Sequence, residues 1–337
     1  MIKKILYIAF KYEYGKEANG LAMNYKAWYE NFVSMGYDAE AIFYEDYSKY
    51  DLQARILEQA RKTNPDLIFF VLQKDQIDIS TLKILKEKGF FTANFFGDDQ
   101  WRFDNYTINF ANHFCACITT DKFSLTKYRD IGQNNIVRSQ WASLDNNVIN
   151  KPVAYKYDVS FIGGYNRYRG WFVDALAKTG VNVHCFGSGW ENGRVSYEQV
   201  EEIFSSSKIN LNISNSESYD VRYLLSSLKA FLLGLKSLVT NGKHSSQTKA
   251  RNFEIPVQGG FQLTDFVPSL DDYFEIGKEL SCYNSVDEAA KLIKYYLIND
   301  AERESIKLEG IKRARNAHTF KHRIMGFMKE LEAMKFK

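Results

Sequence analysis

Short runs of β-branched and aromatic residues alternate along this chain with stretches whose apolar positions recur every three or four residues. That alternation is the mark of βαβ units, in which a parallel sheet is covered by helices on both faces. In the first half, strands are expected at Ile5–Phe10, Ala39–Tyr44, Leu67–Leu72, Thr92–Phe96, Cys115–Thr119 and Ile136–Ser139. Helical periodicity lies between them, through Leu21, Tyr25, Trp28 and Phe32 and through Leu52, Ile56 and Ala60. Asn64-Pro65-Asp66 reads as a turn into the third strand. The polar stretch Asn146 to Pro152 reads as a linker, after which the pattern restarts at Tyr157–Gly164. Strands follow at Val181–Phe186, Ile209–Ile213, Gly260–Thr264 and Glu279–Tyr283. Ser196 with Gln199, and Ser285 with Glu288, have the spacing of capping boxes.

The length of 337 residues fits two such halves, at about 150 residues per domain. The expected domains are residues 1–150 and 151–318, with a last segment at 319–337. No apolar run is long enough to span a bilayer, and the N-terminus reads as a first strand rather than a signal peptide. The balance of 44 basic and 41 acidic side chains gives a net charge of +3, which argues against a dedicated nucleic-acid binder. Cys115, Cys117, Cys185 and Cys282 form no CxxC pair and have no histidine cluster beside them, so reduced thiols in a cytoplasmic protein are expected, with no metal site. Aromatic residues make up 15% of the chain. Phe69, Phe70, Phe161 and Phe261 fall in strands, whereas Tyr12, Tyr14, Trp101, Phe103, Tyr106, Tyr165 and Tyr168 fall near strand ends, where ring faces suit a sugar or a base.

Open α/β sheets bind ligands at the carboxyl ends of their strands, so chemistry is sought there. Phe161-Ile162-Gly163-Gly164 is a strand running into a Gly-Gly turn, and Arg167 and Arg169 stand at the following helix start. Backbone amides freed by glycine and two guanidinium groups suit a phosphate; a tight turn with solvated arginines has the same pattern. Asn252–Gln258 reads as a short helix stopped by Gly259-Gly260, with Lys249 and Arg251 at its start. Cations oppose the dipole there, which suggests an anion nearby. Glu254, flanked by Phe253 and Ile255, either binds hydroxyls such as a ribose diol or pairs with Arg251 at i,i+3.

At this point the second half resembles the CgeB-like (spore maturation) glycosyltransferases of the GT-B class. The resemblance rests on Tyr157–Gly164, Phe186–Trp190, Ile203–Asn215, Gln247–Thr264, Tyr273–Leu280 and His318–Arg323. It implies a GT-B fold, two Rossmann-like domains facing a central cleft, and a nucleotide-sugar donor, expected to be UDP-linked, with no metal or other cofactor. It assigns Glu254 to the donor ribose, Lys249 and Arg251 to the diphosphate, and Gly163, Gly164 and Arg167 to the opposite wall. It also implies that the C-terminal helix crosses back to the first domain. Many retaining GT-B enzymes carry a second acid eight positions before the ribose-binding glutamate; here that position is Ser246.

In the first half, Asp98 and Asp99 follow an apolar strand, and either suits a general base on an acceptor hydroxyl, the alternative being a helix cap. His113 is a weaker base candidate. The polar loop Lys11–Gly20, with Gly15 and Gly20, and Trp101 are expected on the acceptor side. Residues 221–239 are apolar with scattered cations and suit a membrane surface, a core helix or a dimer contact. The expectation is thus a cytoplasmic, membrane-associated hexosyltransferase acting on a surface glycan, a lipid-linked glycan or a protein. A nucleotide-sugar epimerase of the same shape, or a non-catalytic nucleotide-sugar-binding module, is the alternative.

Overall fold

The computed structural model describes residues 1–144, 154–216, 218–239 and 246–336; the linker expected at Asn146–Pro152 lies outside them. The chain forms two compact units, Met1–Leu144 with Phe320–Lys337, and Asp145–Thr319.

Unit 1 is built on strands β1 (Lys4–Ala9), β2 (Asp38–Phe43), β3 (Leu67–Phe70), β4 (Thr92–Phe96), β5 (Ala116–Thr119) and β6 (Ile136–Arg138). They pair in the order β2-β1-β3-β4-β5-β6, all parallel. Every residue of β3, β4 and β5 is buried, as helices on both faces require. The first helical stretch begins after Leu21 rather than at it, because Leu21 bridges Tyr12 and closes the loop that follows β1. Trp28 from this stretch is fully buried, with Phe95 at 4.7 Å, Phe320 at 5.1 Å and Phe327 at 5.7 Å between ring centroids. Two of those rings come from the final helix, Phe320–Lys335, whose Ile324, Met328 and Leu331 share the same core. Its polar side is tied down as well. Glu332 accepts from the Ile2 amide at 2.7 Å, and Lys335 Nζ donates to the Asp66 carbonyl at 2.7 Å.

Unit 2 is built on β7 (Tyr157–Ile162), β8 (His184–Phe186), β9 (Ser207–Asn212), β10 (Gln262–Asp265) and β11 (Ser281–Tyr283). Their order is β11-β10-β9-β7-β8, again all parallel. β8 starts at His184, later than its apolar run, because Val181 closes the preceding helix with its amide on the Leu176 carbonyl. β10 starts at Gln262 because Gly260 belongs to the turn, where a β-carbon would stand 2.5 Å from Asn210 Nδ2. Ser196 and Gln199 form the reciprocal box. At Ser285 only half of it forms, since Glu288 reaches the Asn284 amide instead.

Both sheets have the first strand flanked by the second and the third. Strand order therefore reverses between β1 and β3 in one unit and between β7 and β9 in the other, which opens a crevice at the carboxyl ends of those pairs.

Because the final helix completes the core of unit 1, Phe327→Ala should cost roughly 3–5 kcal/mol in urea unfolding of that unit. The exposed Met325→Ala on the same helix should change stability by less than about 0.5 kcal/mol.

Candidate functional site

In unit 2 the loops after β7, β8 and β9 are drawn together by glycine and one arginine. Gly163 donates its amide to the Phe186 carbonyl at 2.9 Å and receives Trp190 Nε1 on its own carbonyl at 2.8 Å. Gly187 has φ of +129°, and a β-carbon there would lie 2.3 Å from the Gly163 carbonyl oxygen, so only glycine fits. Asn166 caps the Arg167–Lys178 helix by accepting from the Arg169 amide at 2.8 Å.

Arg169, for which the sequence leaves a phosphate contact and a solvated turn both open, is neither solvated nor aimed outward: its guanidinium spans the crevice. Nη1 donates to the Gly164 carbonyl at 2.9 Å, while Nε and Nη2 donate to the Ile213 carbonyl at 3.1 and 2.9 Å. Burial pulls its pKa down, against the opposing pull of Asp265. The next residue, Ser214, donates its amide to both oxygens of Asp265 at 3.0 and 3.1 Å. Burial raises the Asp265 pKa, and the Ser214 amide opposes that rise. The Ser214 carbonyl receives Lys249 Nζ at 3.0 Å. Lys249 is thereby fixed beside the carboxyl end of β9.

The Arg251–Val257 helix packs behind this edge. Buried Asn252 anchors its start by accepting from the Lys249 amide at 3.0 Å and donating to Thr264 at 3.2 Å. Arg251 and Glu254 form the i,i+3 pair at 2.9 Å, with side chains only 27% and 13% exposed. The pair is thus mostly withdrawn from solvent rather than a freely solvated surface pair. Ser246 receives Asn215 Nδ2 at 3.1 Å, so the position lacking the second acid is held by a neutral hydrogen bond. Gly164 and Arg167 are exposed on the other lip, with Arg167 reaching Ser227 at 3.3 Å. Sequence reasoning missed Asp265 and the Asn215–Ser246 contact; an acidic residue closing an apolar strand was the available signal for the first.

In unit 1 the two neighbouring aspartates have different surroundings. Asp98 is half-buried at the end of β4, and its carboxylate does not cap the following turn of helix. Asp99 is buried and accepts from Thr107 at 2.7 Å, Thr119 at 2.6 Å and Tyr128 at 2.8 Å. Burial pushes its pKa up to about 6; the three hydroxyls work against that rise and Asp121 adds to it. Gly15 and Gly20 both take positive φ in the loop after β1, and Trp101 is half-buried. His113 is half-buried, its pKa lowered by burial and by Lys83 and Lys86. The aromatic set divides. Tyr14 and Tyr165 are exposed, but Phe103 is a core residue against Tyr128, and Tyr168 packs on Trp171. Among the described residues, no group of three or more His, Cys, Asp or Glu side chains is arranged to hold a metal.

Residues 167–329 match the family described as "Glycosyl transferase-like". Solved structures share the fold at low identity. Sucrose-phosphate synthase from Thermosynechococcus elongatus aligns with a TM-score of 0.64 at 9% identity, covering 98% of this chain and 99% of that one. Anabaena HepE in complex with UDP aligns at 0.60 and 11% identity, covering 98% and 100%. TarM aligns at 0.56 and 10% identity over 83% of this chain, which spans 57% of TarM's length. No curated protein sequence matches. The fold is the two-domain α/β arrangement of the GT-B class.

Two outcomes follow from this geometry. The folded Asp99 pKa lies above the unfolded value, so its stabilising contribution is complete below pH 3.8 and is lost as pH rises through about 6. Asp99→Asn should remove that slope from the melting temperature against pH, a difference of up to about 3 kcal/mol across the window. Arg169→Lys cannot span two carbonyls; it should lower the melting temperature and weaken any nucleotide binding together.

Proposed function

We propose that the chain is a glycosyltransferase that moves a hexosyl group from a nucleoside diphosphate sugar, UDP-linked, to a hydroxyl of a larger acceptor. The acceptor class is a surface glycan, a lipid-linked glycan or a protein. The observation that carries this reading is the gathering of Lys249, Arg251 and Glu254 behind the crevice between β7 and β9, inside the segment that matches the glycosyl transferase-like family. The UDP held by HepE supports uridine as the base.

Lys249 and Arg251 take the diphosphate, and Glu254 takes the ribose hydroxyls while keeping Arg251 in place. Gly163, Gly164 and Arg167 form the opposite wall. In transfer, the bond from the anomeric carbon to the phosphate oxygen breaks and the acceptor oxygen bonds to that carbon. Negative charge then grows on the departing nucleoside diphosphate, where fixed cations stabilise it without a metal ion. The acceptor proton passes to a base. Asp98 suits that role better than Asp99, because three buried hydroxyls already occupy the Asp99 carboxylate. Gly15, Gly20 and Trp101 would contact the acceptor.

The test is thermal stabilisation by UDP, GDP, TDP and CDP. A ligand at a hundred times its Kd should add roughly 2.7 kcal/mol. Lys249→Ala and Arg251→Ala should abolish the shift, and Glu254→Ala should weaken the nucleotide more than it weakens inorganic diphosphate. Chelation by EDTA should leave transfer intact. If no nucleotide stabilises the fold, the donor site is wrong. Interconversion of free nucleotide sugars without transfer would instead make the chain an epimerase.

A further inference from the structure

The Leu228–Val239 helix is built inside out. Its small residues face inward: Ala230 is buried, and a β-carbon on Gly234 would stand 2.4 Å from Leu224 Cδ2. At 100° per residue, Leu228, Phe231, Leu232 and Leu235 fall on one stripe, at i, i+3, i+4 and i+7, on the side opposite Ala230 and Gly234. That stripe faces outward: Leu228 is 76% exposed, Leu232 55%, Leu235 46% and Phe231 43%. Val221 and Leu225, just before the helix, are exposed too and extend the patch. Contiguous apolar surface of this kind on a folded protein marks a docking face.

Charge selects what docks. Residues 221–239 contain Arg222, Lys229 and Lys236 and no Asp or Glu; Arg222 is met by Asp220 and Asp287 from outside the segment, which leaves the two lysines beside the stripe. Lys229 and Lys236 are seven residues apart, so both lie along one flank of the apolar stripe. A second copy packed face to face would bring the same two lysines against each other, with no carboxylate in the segment to offset them. An anionic lipid surface offers what this face lacks: apolar depth beneath the stripe and negative charge beside it. The helix has 12 residues and so lies along such a surface; no described helix is long and apolar enough to cross a membrane.

We propose that the helix Leu228–Val239 is an interfacial anchor that seats the protein on anionic lipid, with Leu228, Phe231, Leu232 and Leu235 among the acyl chains and Lys229 and Lys236 at the headgroups. This binding stands independently of the transfer reading, since no residue of the donor site takes part in it. The experiment is co-sedimentation of the full chain with vesicles of phosphatidylcholine alone or mixed equally with phosphatidylglycerol. The wild-type chain should pellet with the mixed vesicles, more weakly with phosphatidylcholine, and less as salt is added. Phe231→Ser with Leu232→Ser should stay in the supernatant with an unchanged melting temperature, because both side chains are exposed. Lys229→Gln with Lys236→Gln should weaken binding to the mixed vesicles by about 30-fold, at roughly fivefold per lysine. Equal pelleting of the serine variant overturns the proposal. So does a wild-type chain that ignores vesicles, and so does a wild-type dimer that the serine pair converts to monomer with no vesicle binding.

Discussion

One guanidinium sets the geometry of the crevice in unit 2. Arg169 reaches across the point where strand order reverses and holds the Gly164 and Ile213 carbonyls in fixed positions. Without it, two chain segments with exposed carbonyls would flank a gap with nothing fixing its width. With it, Ser214 is placed, and Ser214 in turn places Lys249 on one side and Asp265 on the other. Charge-assisted bonds to neutral carbonyls are stronger than neutral ones. Arg169 therefore acts as part of the scaffold, which is why the donor site proposed above rests on Lys249, Arg251 and Arg167 instead.

Unit 1 has the same strand order but a different interior at its carboxyl edge. There the fixed element is a buried carboxylate, Asp99, receiving hydroxyls from the helical segment after β4, from β5 and from the Ser124–Asp130 helix. A buried acid with three donors ties separate elements together, and its cost is the raised pKa. The neighbouring Asp98 lacks that enclosure. Two adjacent residues of one type thus differ in burial: Asp99 is enclosed by three hydroxyls, and Asp98 is half-buried.

The strands were legible because a parallel sheet covered on both faces needs continuous apolar runs, as at Leu67–Phe70 and Thr92–Phe96. The Arg251–Glu254 pair was legible too, since its spacing is local. What stayed hidden was long-range. Arg169 finds Ile213 at a separation of 44 residues, and Tyr128 finds Asp99 at 29, so neither partner is visible in a window. The apolar character of residues 221–239 was plain, but which side of the helix faces out depends on Leu224 occupying the space above Gly234. Phe103 was misplaced for a similar reason: nothing in its own neighbourhood says that Tyr128 closes over it.

The route of the chain through its two units has a consequence for how the protein is made. Unit 1 draws its core from both ends of the sequence, with Trp28 and Phe69 meeting Phe327. Unit 2 is a continuous insertion, Asp145–Thr319. On the ribosome, every strand of unit 2 has emerged before the helix that seals unit 1 is synthesised. The earlier sheet must then wait with Trp28 and Phe69 uncovered while the later one closes, and this interval is where the nascent chain most needs chaperone protection.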